Sequence, residues 1–318
     1  MYKFRQYSSA ESGKSAALKI YLIIILSLIS LSLSAMTGCS KKPEPTVDPY
    51  EGMVQVSDGM GGLMWVELYD DVPVSSLQAG DFYRDGQFVQ FAGDGFAVKR
   101  GIDVSFYQGD IDWQSVQSAG IEFVMIRAGY RGYSEGVIYE DTKFRQNIDG
   151  AKAAGLEVGV YFFSQAIDTK EAVEEAEFVL ALIDGYELDF PVAFDWERIG
   201  NDDPSRTDHV NGATLTECAL AFCDTIREGG FEPMVYLYRR LGYFDYNLSD
   251  LLGLKLWVGA LGEFPDFYYE HYIWQYSIKG SIDGIVGDVD LDICFIRNDP
   301  ESEEENGGGN HESAAPPA

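Results

Sequence analysis

The sequence predicts an α/β fold: a modified TIM-like barrel of about five β/α units followed by three strands, with a small N-terminal β unit in front of it. Three observations predict it. From Lys99 onward, short apolar runs rich in Val, Ile and Phe alternate with helical patterns closed by glycine. Beyond Arg239 the alternation stops, and three more strand-like runs follow without a helix of ordinary length between them. Acidic, aromatic and amide residues recur at the ends of the runs, where a β/α barrel carries its site. The pattern alone leaves a doubly wound open sheet as the alternative.

The first residues are a targeting segment. Lys3, Arg5, Lys14 and Lys19 stand against Glu11, and an uncharged apolar run extends from Ile20 to Met36, the shape of a secretory signal. A transmembrane helix is the competing reading, because the run is near the lower length limit of a span. Ala35-Met36-Thr37-Gly38-Cys39-Ser40 resembles the bacterial lipobox, although Met36 stands where a branched aliphatic residue is usual. The resemblance implies a signal peptide over 1–38, lipidation of Cys39 and a chain anchored to the outer face of the cell membrane. Pro43, Pro45 and Pro49 make 39–50 a tether.

Residues 51–97 read as a small β-rich unit with strands at Met53–Val56, Leu63–Leu68 and Gln87–Ala92. Three strands without a helix are marginal alone, so this unit is expected to pack on the barrel. The barrel, 98–298, opens with a strand at Gly101–Ser105 and a short helix over Asp112–Ala119. Then come a strand at Phe123–Ala128, a helix over Asp141–Ala154 and a strand at Val158–Ser164. Asp168-x-x-Glu171 is a capping box for the next helix, and Thr214-x-x-Glu217 for the one after the strand that ends in Glu197. Met234–Arg239, Leu254–Ala260, Tyr272–Ser277 and Val289–Cys294 complete eight strands. Residues 299–318, rich in Glu, Gly and Pro, read as a disordered acidic tail.

The organising stretch is Phe190-Pro191-Val192-Ala193-Phe194-Asp195-Trp196-Glu197. Side chains at i and i+2 of a strand share a face, so Asp195 and Glu197 point one way and Trp196 the other. In isolation such a pair reads as a solvated strand end. In a barrel it meets Asp103 and Ser105, Arg127, Ser164, Tyr236 and Tyr238, Trp257, Gln275, and Asp288 with Asp290 at the carboxyl ends of the other strands. Crowded carboxylates cannot all ionise at ordinary pKa, so at least one is expected to hold a proton near neutrality. Glycoside cleavage uses such an acid beside a charged partner, and aromatic side chains suit sugar rings.

Gly101-Ile102-Asp103-Val104-Ser105, Ile126-Arg127-Ala128-Gly129-Tyr130, Phe194-Asp195-Trp196-Glu197, Trp274-Gln275-Tyr276 and Asp288-Val289-Asp290-Leu291-Asp292 resemble, in order and spacing, the family 25 glycoside hydrolases. These are muramidases whose barrel has five β/α units and three final strands. The resemblance implies hydrolysis of the β-1,4 bond between N-acetylmuramic acid and N-acetylglucosamine in peptidoglycan. It implies Glu197 as proton donor and Asp195 as the carboxylate that orients the substrate acetamido group or supports an intermediate. Asp103 and Asp290 would complete the acidic cluster, and Arg127, Tyr161, Tyr236, Trp257 and Gln275 would contact substrate. Leu261 stands where an aromatic residue is expected, and Asp292 where Asn is common.

The bounds on partners come from composition. A formal net charge of −29 disfavours nucleic acid and anionic lipid surfaces, while 46% hydrophobic content supports a sizeable core. No cofactor and no metal is expected: His209 and His271 lack metal spacing, and Asp288, Asp290 and Asp292 have no surrounding loop. Cys218, Cys223 and Cys294 read as small buried hydrophobes. No G-x-S-x-G occurs, and Ser105 has no His partner. A monomer is expected. The rival functions are a wall-binding module that keeps the barrel without turnover, and a hydrolase of another acetamido-sugar polymer. Arg127 could instead simply pair with Asp103 or another barrel carboxylate.

Overall fold

The computed structural model describes residues 50–200 and 204–298. The segments expected to be a signal peptide and an acidic tail, and Cys39 with its expected lipid, lie outside them. Contacts divide the chain into Met1–Glu51 and Gly52–Ala318, and every element below belongs to the second unit. Among the described residues no helix is long and apolar enough to cross a membrane.

Eight strands close a barrel: β5 (Phe96–Val104), β6 (Phe123–Arg131), β8 (Glu157–Ser164), β9 (Val192–Trp196), β10 (Pro233–Tyr238), β11 (Lys255–Gly259), β12 (Ile273–Gly280) and β13 (Val289–Arg297). Pairing of β5 with both β6 and β13 closes the ring. The modified TIM-like barrel expected from the pattern is therefore present, and the open sheet is not. All neighbours run parallel except β13, which is antiparallel to β12 and β5. An eight-strand parallel arrangement is thus corrected at its last member. Asp290 reaches the site from the amino end of β13 rather than the carboxyl end, and Asp288 precedes the strand outside the cavity lining. A short β7 (Ile138–Glu140) pairs with the end of β6.

The helices lie on the outer face. They are α1 (Trp113–Ser118), α2 (Phe144–Ala153), α3 (Thr169–Ile183), α4 (Gly212–Glu228) and α5 (Arg239–Phe244). Asp168 caps α3 by accepting from Glu171 N at 2.9 Å, as its box predicts, while the Glu171 carboxylate returns to Ile167 N rather than to the cap itself. The second box is corrected. Asn211, not Thr214, caps α4, with Asn211 Oδ1 accepting from Thr214 N at 3.0 Å. Asn competes as well as Thr for that position, and the helix gains its first turn, Gly212–Thr214, from the choice.

Alternation along the strands sorts the core into two layers. Phe123, Met125, Phe190, Ala193, Met234, Ile273 and Cys294 fill the barrel interior, while Val124, Ile126, Phe162, Phe194 and Val235 face the helices. The interior is closed by Phe123 stacked on Phe190, centroids 4.4 Å apart. The cysteines at 218, 223 and 294 are buried and unpaired, and burial pushes the Cys218 and Cys294 thiols up to about 12.

The small β unit has four strands rather than three: β1 (Met53–Ser57) pairs with β2 (Leu63–Glu67), and β3 (Phe82–Asp85) with β4 (Phe88–Phe91). β3 escaped notice because its charged Arg84 and Asp85 break the apolar run. As expected for so small a unit, it packs on the barrel wall. Phe82 and Phe91 meet Phe295 at 6.0 and 5.9 Å, Phe82 meets Trp274 at 5.6 Å, and Tyr69 N donates to Tyr269 Oη.

Candidate active site

Parallel strands deliver their carboxyl-terminal residues to one end of a barrel, and there the chain forms a cavity of about 320 Å³. Asp103, Arg127, Tyr161, Asp195, Glu197, Tyr236, Trp257, Gln275 and Asp290 all line it. Trp196, one residue out of phase, points away: it is buried on the helix side, and its indole donates to Ala166 O at 3.1 Å. Ser164, Tyr238 and Asp288 do not line the cavity, and the Asp288 carbonyl accepts from Gln108 Nε2 at 3.3 Å.

A hydrogen-bond chain crosses the floor. Tyr236 Oη donates to Gln275 Oε1 at 3.0 Å, and Gln275 Nε2 donates to Asp103 Oδ2 at 2.8 Å. Glycine at 259 makes room for it, since a Cβ there would stand 2.5 Å from the Tyr236 hydroxyl oxygen. Asp103 also faces Asp290, its cross-strand neighbour, and both Asp290 and Asp292 lie within hydrogen-bonding reach of it. Trp257 is 2% exposed and donates from its indole to the fully buried Asp292 at 2.9 Å. It also packs edge-on against Tyr161 and Tyr236. All three rings line the cavity.

Burial dominates the electrostatics. It holds Asp103 well above the usual carboxylate range, with Asp290 and Asp292 adding to the effect. Asp195 is raised by burial and then by Glu197, against the pull of the Arg127 guanidinium. Burial and the Asp290 charge push Glu197 up to about 7. Asp290 is pushed up to about 6 by burial, against its hydrogen bond with Asp103. Asp195 Oδ1 is buried and accepts no hydrogen bond among the described residues. The cluster therefore keeps protons at neutral pH and holds an acceptor without a donor.

Arg127 does not pair with Asp103 but does pair with another carboxylate of the barrel domain, Asp141, which does not line the cavity. Its Nε donates to the buried Asp141 at 2.8 Å, and Asp141 also accepts from Phe106 N and Lys143 N. The guanidinium lies among the rings of Phe106, Tyr107 and Tyr130, 5.1 to 5.5 Å from each. Asp141 thus sets the Arg127 orientation, a role sequence reading missed because Asp141 lies beyond the strand ends.

Residues 102–285 match the sequence profile of the glycosyl hydrolases family 25. The chain belongs to this family. It is 33% identical over 195 residues to the autolytic lysozyme of Clostridium acetobutylicum, covering 61% of this chain and 55% of that one. It is 28% identical to lysozyme M1 of Streptomyces globisporus over 60% and 66% of the two chains. The chain thus spans from about half to two thirds of the length of these relatives. Its fold resembles that of the modular autolysin LytC from Streptococcus pneumoniae, at TM-score 0.55 and 25% identity, over 77% of this chain and 57% of that one. It also resembles a family 25 glycosyl hydrolase from Bacillus anthracis, at TM-score 0.54 and 20% identity over 71% and 100%.

Four further residues of this family 25 cavity escaped sequence reading: Tyr107, Gln108, Phe163 and Ile278. Phe163 follows Tyr161 by two on β8, so strict alternation could have found it. Tyr107 and Gln108 sit on the 3-10 turn Phe106–Gln108 just after β5, a position a barrel reserves for its site. Ile278 could not have been found, because a register shift in β12 after Gln275 breaks the alternation.

Proposed function

We propose that this family 25 chain hydrolyses the β-1,4 bond between N-acetylmuramic acid and N-acetylglucosamine in peptidoglycan. The observation that carries the reading is the pairing of two unlike carboxyls in one cavity. Glu197 keeps its proton up to about 7, and beside it Asp195 has an oxygen that accepts nothing. Glu197 donates its proton to the glycosidic oxygen as the bond to the anomeric carbon breaks. Asp195 accepts the acetamido N–H of the sugar whose bond is cut, turning the acetamido oxygen toward the anomeric carbon as internal nucleophile. Glu197, now a carboxylate, then takes a proton from the water that opens this intermediate. Asp290, whose carboxyl is pushed up only to about 6, keeps the site negative at neutral pH, which favours the cationic character that develops on the sugar ring, and Asp103 holds Asp290 by a hydrogen bond. Arg127, Tyr161, Tyr236, Trp257 and Gln275 shape the bed on which the sugar rests, and a lipid anchor at Cys39 would hold the enzyme beside the wall.

The experiment is incubation of the chain and of Glu197→Gln with purified peptidoglycan, followed by mass spectrometry of the new reducing ends. Reducing muramic acid from the first and none from the second is expected. Release of neither product with retained wall binding would replace hydrolysis by recognition. An inverted anomer in the first product would remove the acetamido nucleophile and leave the two-carboxylate route.

A further inference from the structure

The ladder between β8 and β9 has its last pair at Ser164 and Trp196, so the next carbonyl along the chain, that of Glu197, lies just beyond the strand. The side chain of Gln165 reaches that carbonyl. Its Nε2 donates to Glu197 O at 2.8 Å and to Ser164 O at 2.9 Å. Carbonyl oxygens only accept, so the amide nitrogen must face them and Oε1 must face away. On that far side Oε1 accepts from Thr207 Oγ1 at 3.1 Å and from Ser205 Oγ at 3.5 Å. Gln165 is fully buried, and Thr207 is 1% exposed.

The platform behind this amide is fixed by charge. Arg206 donates to Gln165 O at 2.9 Å and grips the Glu171 carboxylate with two bonds of 2.7 and 2.6 Å. Glu171 also accepts from Ile167 N, and its main-chain carbonyl accepts from Arg131. A buried polar side chain that spends both its ends on such bonds costs desolvation unless every bond is made, and here all are. Gln165, Glu171, Ser205, Arg206 and Thr207 all lie outside the cavity lining.

We propose that Gln165 is a positioning residue for hydrolysis. It clamps the main chain of Glu197 and so sets where the carboxyl stands over the scissile bond, while Thr207 and Ser205 hold the amide from its far side. This rests on Glu197 being the acid. A displacement of about 1 Å at a reacting group costs up to roughly 100-fold in rate. The charged and titratable groups that face Glu197 are Asp195 on β9, Asp290 on β13 and Tyr236 and Tyr238 on β10, and none is altered by a change at Gln165.

The test uses the full chain, Gln165→Met, Thr207→Val and Glu197→Gln on soluble peptidoglycan oligosaccharides, with kcat and KM followed against pH and thermal unfolding recorded for each. Gln165→Met is expected to lower kcat about 10- to 100-fold with KM within about twofold. Its basic limb should move to lower pH as water reaches a loosened Glu197. Thr207→Val should do the same more weakly, and it keeps the test intact if the methionine variant does not fold. An active wild type beside variants with unchanged kcat and pH limb, or with losses that only track the unfolded fraction, overturns the inference alone. A wild type as silent as Glu197→Gln overturns the functional reading and this inference with it.

Discussion

In the proposed reaction Glu197 gives up a proton at neutral pH, and what lets it keep that proton until then is burial and the charge of Asp290. They can be separated by experiment. Asp290→Asn keeps the shape and the burial but removes the charge, which makes ionisation of Glu197 easier and lowers its pKa from about 7. The acid form is then lost at lower pH, so the basic limb of the kcat/KM profile should move toward acid. A limb that stays in place would leave burial as the whole cause. The period-two rule made much of this legible, because Asp195 and Glu197 had to share a face and Trp196 had to leave it. What the rule does not carry is depth. Trp257 reads as a sugar wall from its position, yet its indole is bound to Asp292 and its face is covered. The Asp292 that departs from the commoner Asn is the acceptor for that indole, so the departure alters the floor and not the acid pair. Sequence reading also had no access to Gln165, because its role depends on a ladder that stops one residue short of Glu197.

Elements were more legible than their directions. The alternation of strands and helices pointed to a barrel and left an open sheet as the alternative, and it is silent on β13, whose reversal brings Asp290 beside Asp103. One signal was available: the connection between Gly280 and Val289 is shorter than the dozen or more residues that a parallel crossover needs. The small β unit reads as a separate strand cluster, yet its aromatic residues are built into the barrel wall. Phe295 of β13 is 3% exposed and meets Phe82, Phe91 and Phe96 at 6.0, 5.9 and 6.1 Å. Phe295→Ala should cost roughly 3–5 kcal/mol in urea unfolding, because the cavity lies between two layers that cannot both collapse into it. Hydrogen exchange in β3 and β4 should rise together with that in β13. A variant that loses stability while β3 and β4 keep their protection would mean that the hairpin folds independently of the barrel.

At the scale of the whole molecule the dominant fact is charge. A chain at −29 approaching a wall that carries phosphates or carboxylates is repelled before it can dock, and the repulsion acts over about 10 Å at 0.1 M salt. Hydrolysis of anionic walls should therefore speed up as ionic strength rises from about 10 to 150 mM. Hydrolysis of uncharged oligosaccharides should not, since they feel no long-range field. Tethering changes this argument. If Cys39 carries a lipid, the enzyme is held near its substrate and encounter no longer depends on diffusion against the field. Wild type in native membranes should then show a weaker salt dependence than a Cys39→Ser chain added from solution, and detergent rather than salt should release it. Equal salt dependence for the two, with both freed by salt, would remove the anchor and return the problem of encounter to the protein surface.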